Sequence, residues 1–147
     1  MSYSAAVDGL FTLAGELYAA PGGVRHKFDL AEMQVLLEAL GSPQQRFRSV
    51  LIAGTNGKGS TSATLASILR AGGYRVGLYT SPHLTRVNER VRIDGGDISD
   101  EDFAAYYFRV DDCARRQVAE GRLKWHPSFF ETMTALAFLA FAERDVD

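Results

Sequence analysis

Residues 50–60 read Val50-Leu51-Ile52-Ala53-Gly54-Thr55-Asn56-Gly57-Lys58-Gly59-Ser60, and this stretch decides the fold of the chain. Its first four residues are apolar, which predicts a strand over 49–53. A helical pattern begins at Ser60, so a glycine-rich turn joins a strand to a helix. Such a turn cradles phosphate, because backbone N–H groups point into it and the helix adds its positive dipole end. The stretch therefore predicts that residues 54–60 bind ATP or GTP.

Two side chains of this loop carry specific chemistry. Lys58 brings a full positive charge to the terminal phosphates, and Ser60 brings an oxygen for a bound magnesium ion. The loop departs from the common phosphate-loop pattern, because Ile52 stands where the first glycine is expected and Gly59 separates Lys58 from Ser60. A turn that merely joins two elements is the alternative. Three glycines, a lysine and two hydroxyl residues at one junction favour nucleotide binding.

Composition narrows the class of protein. The 147 residues suit one domain, and 46% hydrophobic and 23% charged residues are typical of a soluble globular protein. A net charge of −2 indicates no nucleic-acid partner. The single Cys113 cannot form an internal disulfide, which fits a reducing cytoplasm. We find no basic-then-apolar leader and no apolar run long enough to cross a membrane, so we expect a cytoplasmic protein without a membrane partner.

The apolar periodicity predicts an α/β fold in which helices flank a mostly parallel sheet of the phosphate-loop type. The predicted helices cover residues 4–18, 29–40, 60–71, 99–120 and 128–143, and the predicted strands cover 49–53 and 75–80. Residues 85–94 are expected to form a hairpin or a loop. Ser99 with Asp102, and Ser128 with Glu131, have the spacing of capping boxes. We divide the chain into a helical lead-in, 1–48, and a phosphate-loop α/β region, 49–147.

The predicted sheet is incomplete. Two strands are too few to bury both faces of a parallel sheet. Residues 144–147 have the pattern of a lead-in to another strand. We therefore expect the chain to be the N-terminal part of a longer protein.

Three further groups of residues are candidates for the site. Ser81 in Ser81-Pro82-His83 follows the strand next to the loop, where it would reach the magnesium ion of Ser60, although a simple Ser-Pro turn explains it equally well. Taken alone, His83 is expected to be a packing or surface residue.

In Phe28-Asp29-Leu30, a helix cap explains Asp29. In Ser128-Phe129-Phe130-Glu131, capping and core packing explain the residues, while a Phe pair beside a carboxylate also suits a flat heteroaromatic ligand.

Three motifs resemble one known family. They are Ala53-Gly54-Thr55-Asn56-Gly57-Lys58-Gly59-Ser60, Tyr79-Thr80-Ser81-Pro82-His83-Leu84 and Asn88-Glu89-Arg90-Val91-Arg92. Together they resemble the folylpolyglutamate synthase/dihydrofolate synthase family of Mur-type ATP-dependent amide ligases. The resemblance extends over most of the chain, and the Lys-Gly-Ser and Ser-Pro-His-Leu segments favour the folate branch.

The resemblance implies roles for particular residues. The loop Gly54, Thr55, Asn56, Gly57, Lys58, Gly59 and Ser60 would hold ATP, with Lys58 on its terminal phosphates, and Ser60 and Ser81 would bind Mg²⁺. The substrate region would include Phe28, Asp29, Leu30, His83, Ser128, Phe129, Phe130 and Glu131. The family's remaining metal ligands, which are a glutamate, a histidine and a carbamylated lysine, have no counterpart in this sequence. Neither does its C-terminal glutamate-binding domain, so we expect the chain alone to be inactive.

The activity implied by this resemblance is an ATP-dependent ligation. A folate or dihydropteroate carboxylate attacks ATP to give an acyl phosphate, and the amine of L-glutamate then displaces phosphate. The partners would be these small molecules, and the full-length protein would be a monomer. A phosphate-loop small-molecule kinase and a non-catalytic nucleotide-binding fragment remain alternatives. The choice among dihydropteroate, reduced folates or both stays open.

Overall fold

The computed structural model describes residues 2–14 and 30–147. Its five α-helices and three β-strands follow one another along the chain. The helices are α1 (Tyr3–Ala14), α2 (Leu30–Ala39), α3 (Lys58–Ala71), α4 (Asp100–Ala119) and α5 (Phe129–Glu143). The strands are β1 (Gly77–Tyr79), β2 (Val91–Ile93) and β3 (Gly96–Asp97). Two short 3₁₀ turns, Pro43–Gln45 and Val87–Arg90, lie between these elements.

The hydrophobic core is built mainly from helices. Helices α1, α2 and α5 all pack against α4, and α1 and α2 also contact α5. Most apolar residues of α5 are buried, and Met133 and Leu136 are fully buried, as is Phe103 of α4. Helix α3 differs, because none of its residues is buried. The phosphate loop and α3 therefore lie at the surface of this core.

Strands β1, β2 and β3 form one antiparallel sheet in that order. Gly77 pairs with Ile93, and Tyr79 pairs with Val91. The residues Asp94-Gly95 turn β2 back into β3 with positive φ angles. The α/β class is thus confirmed, but the strands that the structure assigns in residues 2–14 and 30–147 are antiparallel, whereas the prediction was a mostly parallel sheet.

The predicted strand over 49–53 is wrong for this structure, which assigns no strand there. Val50 is 70% exposed and Leu51 is 92% exposed. A strand needs a neighbour for its backbone hydrogen bonds. The backbone of Asp147 lies between the two segments that were predicted to pair. The Asp147 carbonyl accepts the Arg48 N–H at 3.0 Å, and the Asp147 N–H donates to the Arg75 carbonyl at 3.0 Å. The parallel pairing of the two segments is therefore absent.

Several helix boundaries differ from the prediction. Helix α1 is described only to Ala14, and the predicted extension to residue 18 lies outside the described residues, as does Asp29. Helix α3 begins at Lys58, two residues before the predicted start. Ser99 caps α4 as predicted by accepting the Asp102 N–H at 3.1 Å. The Asp102 carboxylate, however, pairs with Arg144 of the α5 C-terminus instead of closing a capping box. The stretch predicted as a hairpin or loop contains the second 3₁₀ turn and then β2.

Candidate functional site

The loop before α3 has the backbone of a phosphate cradle. Gly54 has a φ of +151° and Gly57 a φ of +76°, which are conformations that glycine adopts without strain. Gly57 is the N-cap of α3, and its carbonyl accepts the Thr61 N–H at 2.9 Å. The N–H groups of Lys58, Gly59 and Ser60 precede that bond, so they have no acceptor within the helix. These exposed donors, with the positive end of the helix dipole, suit an anion.

The side chain of Lys58 folds back over this loop. Its Nζ donates to the Gly54 carbonyl at 2.5 Å and to the Thr55 carbonyl at 3.3 Å. The contact holds a full positive charge beside the exposed residues Thr55, Asn56 and Gly59. The loop therefore combines a cation on a long stem with backbone donors, which is the combination that a triphosphate requires.

Ser60 and Ser81 are the predicted magnesium ligands. Ser60 lies in the first turn of α3, and Ser81 follows β1 by two residues. Both are exposed, and within the described part of the chain neither hydroxyl makes a hydrogen bond. Hydroxyl oxygens suit Mg²⁺, which keeps several waters and phosphate oxygens as its other ligands. The residues therefore fit the ion, while their joint binding of one ion stays a prediction. The described residues contain no cluster of three His, Cys, Asp or Glu side chains suited to a metal.

Glu89 fixes the segment that follows Ser81. Its carboxylate accepts the backbone N–H groups of Leu84, Thr85 and Arg86 at 2.8, 2.9 and 2.7 Å. These hydrogen bonds favour the ionised carboxylate and lower the pKa of Glu89 from 4.5 to about 2. The backbone that follows the turn at Ser81-Pro82-His83 is thus held in place by the Glu89 carboxylate.

His83 is held in place by Arg90 and Phe11. The Arg90 Nε donates to His83 Nδ1 at 2.8 Å, and the Phe11 ring of α1 meets the imidazole edge-on with centroids 6.1 Å apart. Burial lowers the pKa of His83 and the positive charge of Arg90 lowers it further, while Glu89 partly offsets both effects. The expectation that His83 packs against its surroundings is met. Its predicted role in substrate binding stays a prediction.

Arg90 also contacts the Phe pair at the start of α5. Its guanidinium carbon lies 5.0 Å from the Phe129 ring centroid and 5.8 Å from that of Phe130. Phe129 is buried in the core, whereas Phe130 is 39% exposed. Phe130 is therefore the ring of this pair that is open to a ligand. The structure brings His83, Phe129 and Phe130 together around Arg90, a residue to which the sequence interpretation gave no role.

Ser128 and Glu131 form the predicted capping box of α5. The Ser128 Oγ accepts the Glu131 N–H at 3.4 Å, and Glu131 Oε2 accepts both the Ser128 N–H and its hydroxyl at 2.8 Å. Glu131 also borders a small recess against α2, lined by Met33, Leu36 and Trp125. Leu30 begins α2 and is exposed, whereas Phe28 and Asp29 lie outside the described residues. The capping role is confirmed, and the substrate role of these residues stays a prediction.

Known proteins resemble this chain in sequence and in fold. The dihydrofolate synthase/folylpolyglutamate synthase of Bacillus subtilis (strain 168) is 43% identical over 116 residues, which cover 78% of this chain and 26% of that protein. The structure of folylpolyglutamate synthetase from Lactobacillus casei matches with a TM-score of 0.87 and 36% identity, covering 100% of this chain and 35% of that one. A complex of FPGS with AMPPCP and folate matches with a TM-score of 0.83 and 34% identity, covering 100% and 34%.

These matches define how much of the relatives the chain represents. The chain spans 26% of the Bacillus protein and 35% of the Lactobacillus chain. No model of a protein family matches it. No helix in residues 2–14 and 30–147 has both the length and the apolar character needed to cross a membrane.

Proposed function

We propose that this chain, which belongs to the folylpolyglutamate synthase/dihydrofolate synthase family, is the N-terminal part of the ATP-binding domain of a ligase. The ligase adds L-glutamate to the carboxylate of a folate or of dihydropteroate. The observation that carries the proposal is the loop at residues 54–60, where Lys58 folds over backbone donors that open a helix. Residues 1–48 are the helical lead-in of this domain, and residues 49–147 are its phosphate-loop region.

The chemistry is activation of a carboxylate followed by amide formation. The substrate carboxylate attacks the γ-phosphate of ATP, which gives an acyl phosphate and ADP. The amine of glutamate then attacks the acyl carbon and expels phosphate. Phosphoryl transfer depends mainly on positioning and on neutralising charge. Lys58 supplies charge at the terminal phosphates, and the N–H groups of residues 58–60 orient the phosphates.

Ser60 and Ser81 would hold the magnesium ion. When bound, the ion neutralises charge on the phosphate oxygens. Two neutral hydroxyls leave the net charge of the ion intact for that purpose. Because Ser81 lies two residues after β1 and Ser60 lies in the first turn of α3, a shared ion would also tie the loop to the sheet.

The folate or dihydropteroate would bind on the side of the site that carries the aromatic residues. Phe130 is exposed and offers a stacking surface for a flat heterocycle, with the capping carboxylate of Glu131 next to it. His83 also belongs to this side, since the Phe11 ring lies 6.1 Å from its imidazole and 5.8 Å from the Phe129 ring. Phe28, Asp29 and Leu30 belong to the same substrate region in this proposal.

We assign the protein to the cytoplasm, since the free Cys113 is buried and unpaired. We also assign it to a monomeric state without membrane or nucleic-acid partners.

A chimera tests the proposed reaction. In it, this chain replaces the matching third of the Lactobacillus casei protein, and phosphate release is measured with ATP, folate and glutamate added singly and together. A ligase releases phosphate only when both the folate and glutamate are present. A phosphorylated folate that accumulates as the final product even when glutamate is present would identify a kinase instead. A chimera that binds AMPPCP normally and yet shows no turnover under any condition would assign the chain to a non-catalytic nucleotide-binding role.

A further inference from the structure

Arg90 is a buried cation that has no carboxylate partner among the residues that the structure describes. It is 6% exposed, and no acidic side chain among residues 2–14 and 30–147 forms an ion pair with it. Its Nη1 also lacks a hydrogen-bond partner. Burying a charge in this way costs stability. The position of Arg90 therefore calls for a role beyond packing.

The guanidinium of Arg90 contacts three residues of the candidate site, and its carbonyl accepts the Thr80 N–H at 3.0 Å. Its Nε donates to Nδ1 of His83, and its guanidinium carbon lies over the rings of Phe129 and Phe130. An arginine can only donate, so Nδ1 of His83 must be the acceptor. The proton of the neutral imidazole is consequently on Nε2, at the far side of the ring. Phe11 closes a further side of the imidazole and limits its rotation.

The residue before Arg90 fixes the same turn through its backbone. Glu89 binds the N–H groups of residues 84–86, directly after His83. Two consecutive residues of one 3₁₀ turn thus hold both the side chain of His83 and the main chain that follows it. Arg90 extends this connection to the first turn of α5 through the two Phe rings.

We propose that Arg90 is a positioning residue that orients His83 as an Nε2–H donor and sets its place relative to Phe129 and Phe130. This inference rests on the proposed function of the same site. Its chemical consequence is that His83 meets an acceptor atom of the substrate, such as a carbonyl oxygen, a ring nitrogen or a carboxylate oxygen. The substrate atom that lies at His83 is therefore not a hydrogen-bond donor.

Nuclear magnetic resonance of the imidazole nitrogens tests the orientation without any ligand. The spectra are recorded on the 147-residue protein at a pH where the ring is neutral, and His83 is assigned with a His83→Ala variant. We expect the Nδ1 resonance of the wild type to show the shift of a hydrogen-bonded acceptor, and we expect Arg90→Met to move it to the value of a free imidazole. Arg92→Met is the matched control, since Arg92 pairs with Asp97 at the surface and leaves His83 untouched. An Nδ1 resonance that is identical in the wild type and in Arg90→Met would overturn the proposal.

A binding cycle tests whether Arg90 acts through His83. Folate affinity is measured for Arg90→Met, for His83→Ala and for the double variant. Loss of one hydrogen bond to a well-placed donor corresponds to about tenfold weaker binding. We expect each single change to have this effect and the double variant to be no weaker than either one, because both changes remove the same contact. Effects that multiply would show that Arg90 does not act through His83.

One further variant and the independence of the two readouts keep these outcomes distinct. Arg90→Lys retains the charge and much of the buried stem but lacks the Nε donor, so it replaces Arg90→Met if the latter fails to fold. Absence of folate binding by the wild type would count against the proposed function alone, since the resonance of His83 judges the role of Arg90 independently.

Discussion

Gly77 of β1 lies directly against the ring of Phe141 in α5. A Cβ atom at position 77 would come within 2.6 Å of the Phe141 ring carbon Cδ1, which is closer than real Cβ atoms approach other atoms. Phe141 itself is buried and packs edge-on against Phe47. Because β1 leads within two residues to Ser81, this contact sets the position of the candidate magnesium ligand relative to the helical core.

Substitution of Gly77 by alanine is therefore expected to destabilise the fold. The added methyl group forces the ring of Phe141 or the strand to move, and overpacking of this kind costs about 1–3 kcal/mol. Urea unfolding measures the loss. Gly96→Ala in β3 is the matched control, because a Cβ there meets only an ordinary contact at 3.7 Å. A Gly77→Ala variant as stable as the wild type would show that the strand is not packed this closely.

Replacement of Glu89 by glutamine is expected to change how stability depends on pH. The folded state lowers the pKa of Glu89 from 4.5 to about 2, so the ionised carboxylate stabilises the fold above pH 4.5. This contribution is lost as the pH falls from 4.5 towards 2. The difference in unfolding midpoint between the wild type and Glu89→Gln should therefore be largest above pH 4.5. It should become steadily smaller as the pH falls towards 2. Glu38→Gln, at an exposed position of α2, is the matched control for the loss of one carboxylate. A difference that stays constant with pH would show that the hydrogen bonds from residues 84–86 to the Glu89 carboxylate do not stabilise the fold.

Removal of the Ser81 hydroxyl is expected to raise the magnesium requirement. Loss of one oxygen ligand weakens the site, so Ser81→Ala should need a several-fold higher magnesium concentration to support AMPPCP binding. A magnesium titration at fixed AMPPCP gives the midpoint. Ser67→Ala, on the exposed surface of α3, should leave that midpoint unchanged. If the Ser81→Ala midpoint equals that of the wild type, Ser81 is only a turn residue.

The Glu131→Gln substitution separates the two roles of Glu131. Glutamine also closes a capping box, so α5 should keep nearly all of its stability. Loss of the negative charge should weaken folate binding while AMPPCP binding stays the same. Ser128→Ala is the complementary change, because it removes the cap and should cost about 1 kcal/mol of stability. A Glu131→Gln variant that loses stability and weakens both ligands equally would favour the capping role alone.

The sequence predicted those features that depend on nearby residues. The caps at Ser99 and Ser128 were found because each needs only a residue three positions later. The glycine-rich loop and the helix after it were found for the same reason. The strand that the sequence predicted over 49–53 is absent, because a strand is defined by its neighbours and the backbone of Asp147 lies between Arg48 and Arg75.

Arg90 shows a different limit of sequence interpretation. It stands in the polar run Asn88-Glu89-Arg90-Val91-Arg92, which reads as a solvated surface. Its burial depends on Phe129 and Phe130, which lie far along the chain and come near only when α5 packs on the sheet. The motif itself was noticed, but no local pattern distinguishes the buried Arg90 from the half-buried Arg92.

Binding of AMPPCP with magnesium to this chain tests the central claim most directly. In isothermal titration calorimetry we expect saturable, magnesium-dependent binding by the wild type and by Lys124→Ala, which removes an exposed positive charge away from the loop. We expect Lys58→Ala to fold normally and to bind at least tenfold more weakly, since the loss of a charge-assisted contact corresponds to about 1.5–3 kcal/mol. Equal affinity of Lys58→Ala and the wild type, or no binding by a folded wild-type chain, would contradict the assignment of residues 54–60 as the ATP-binding loop.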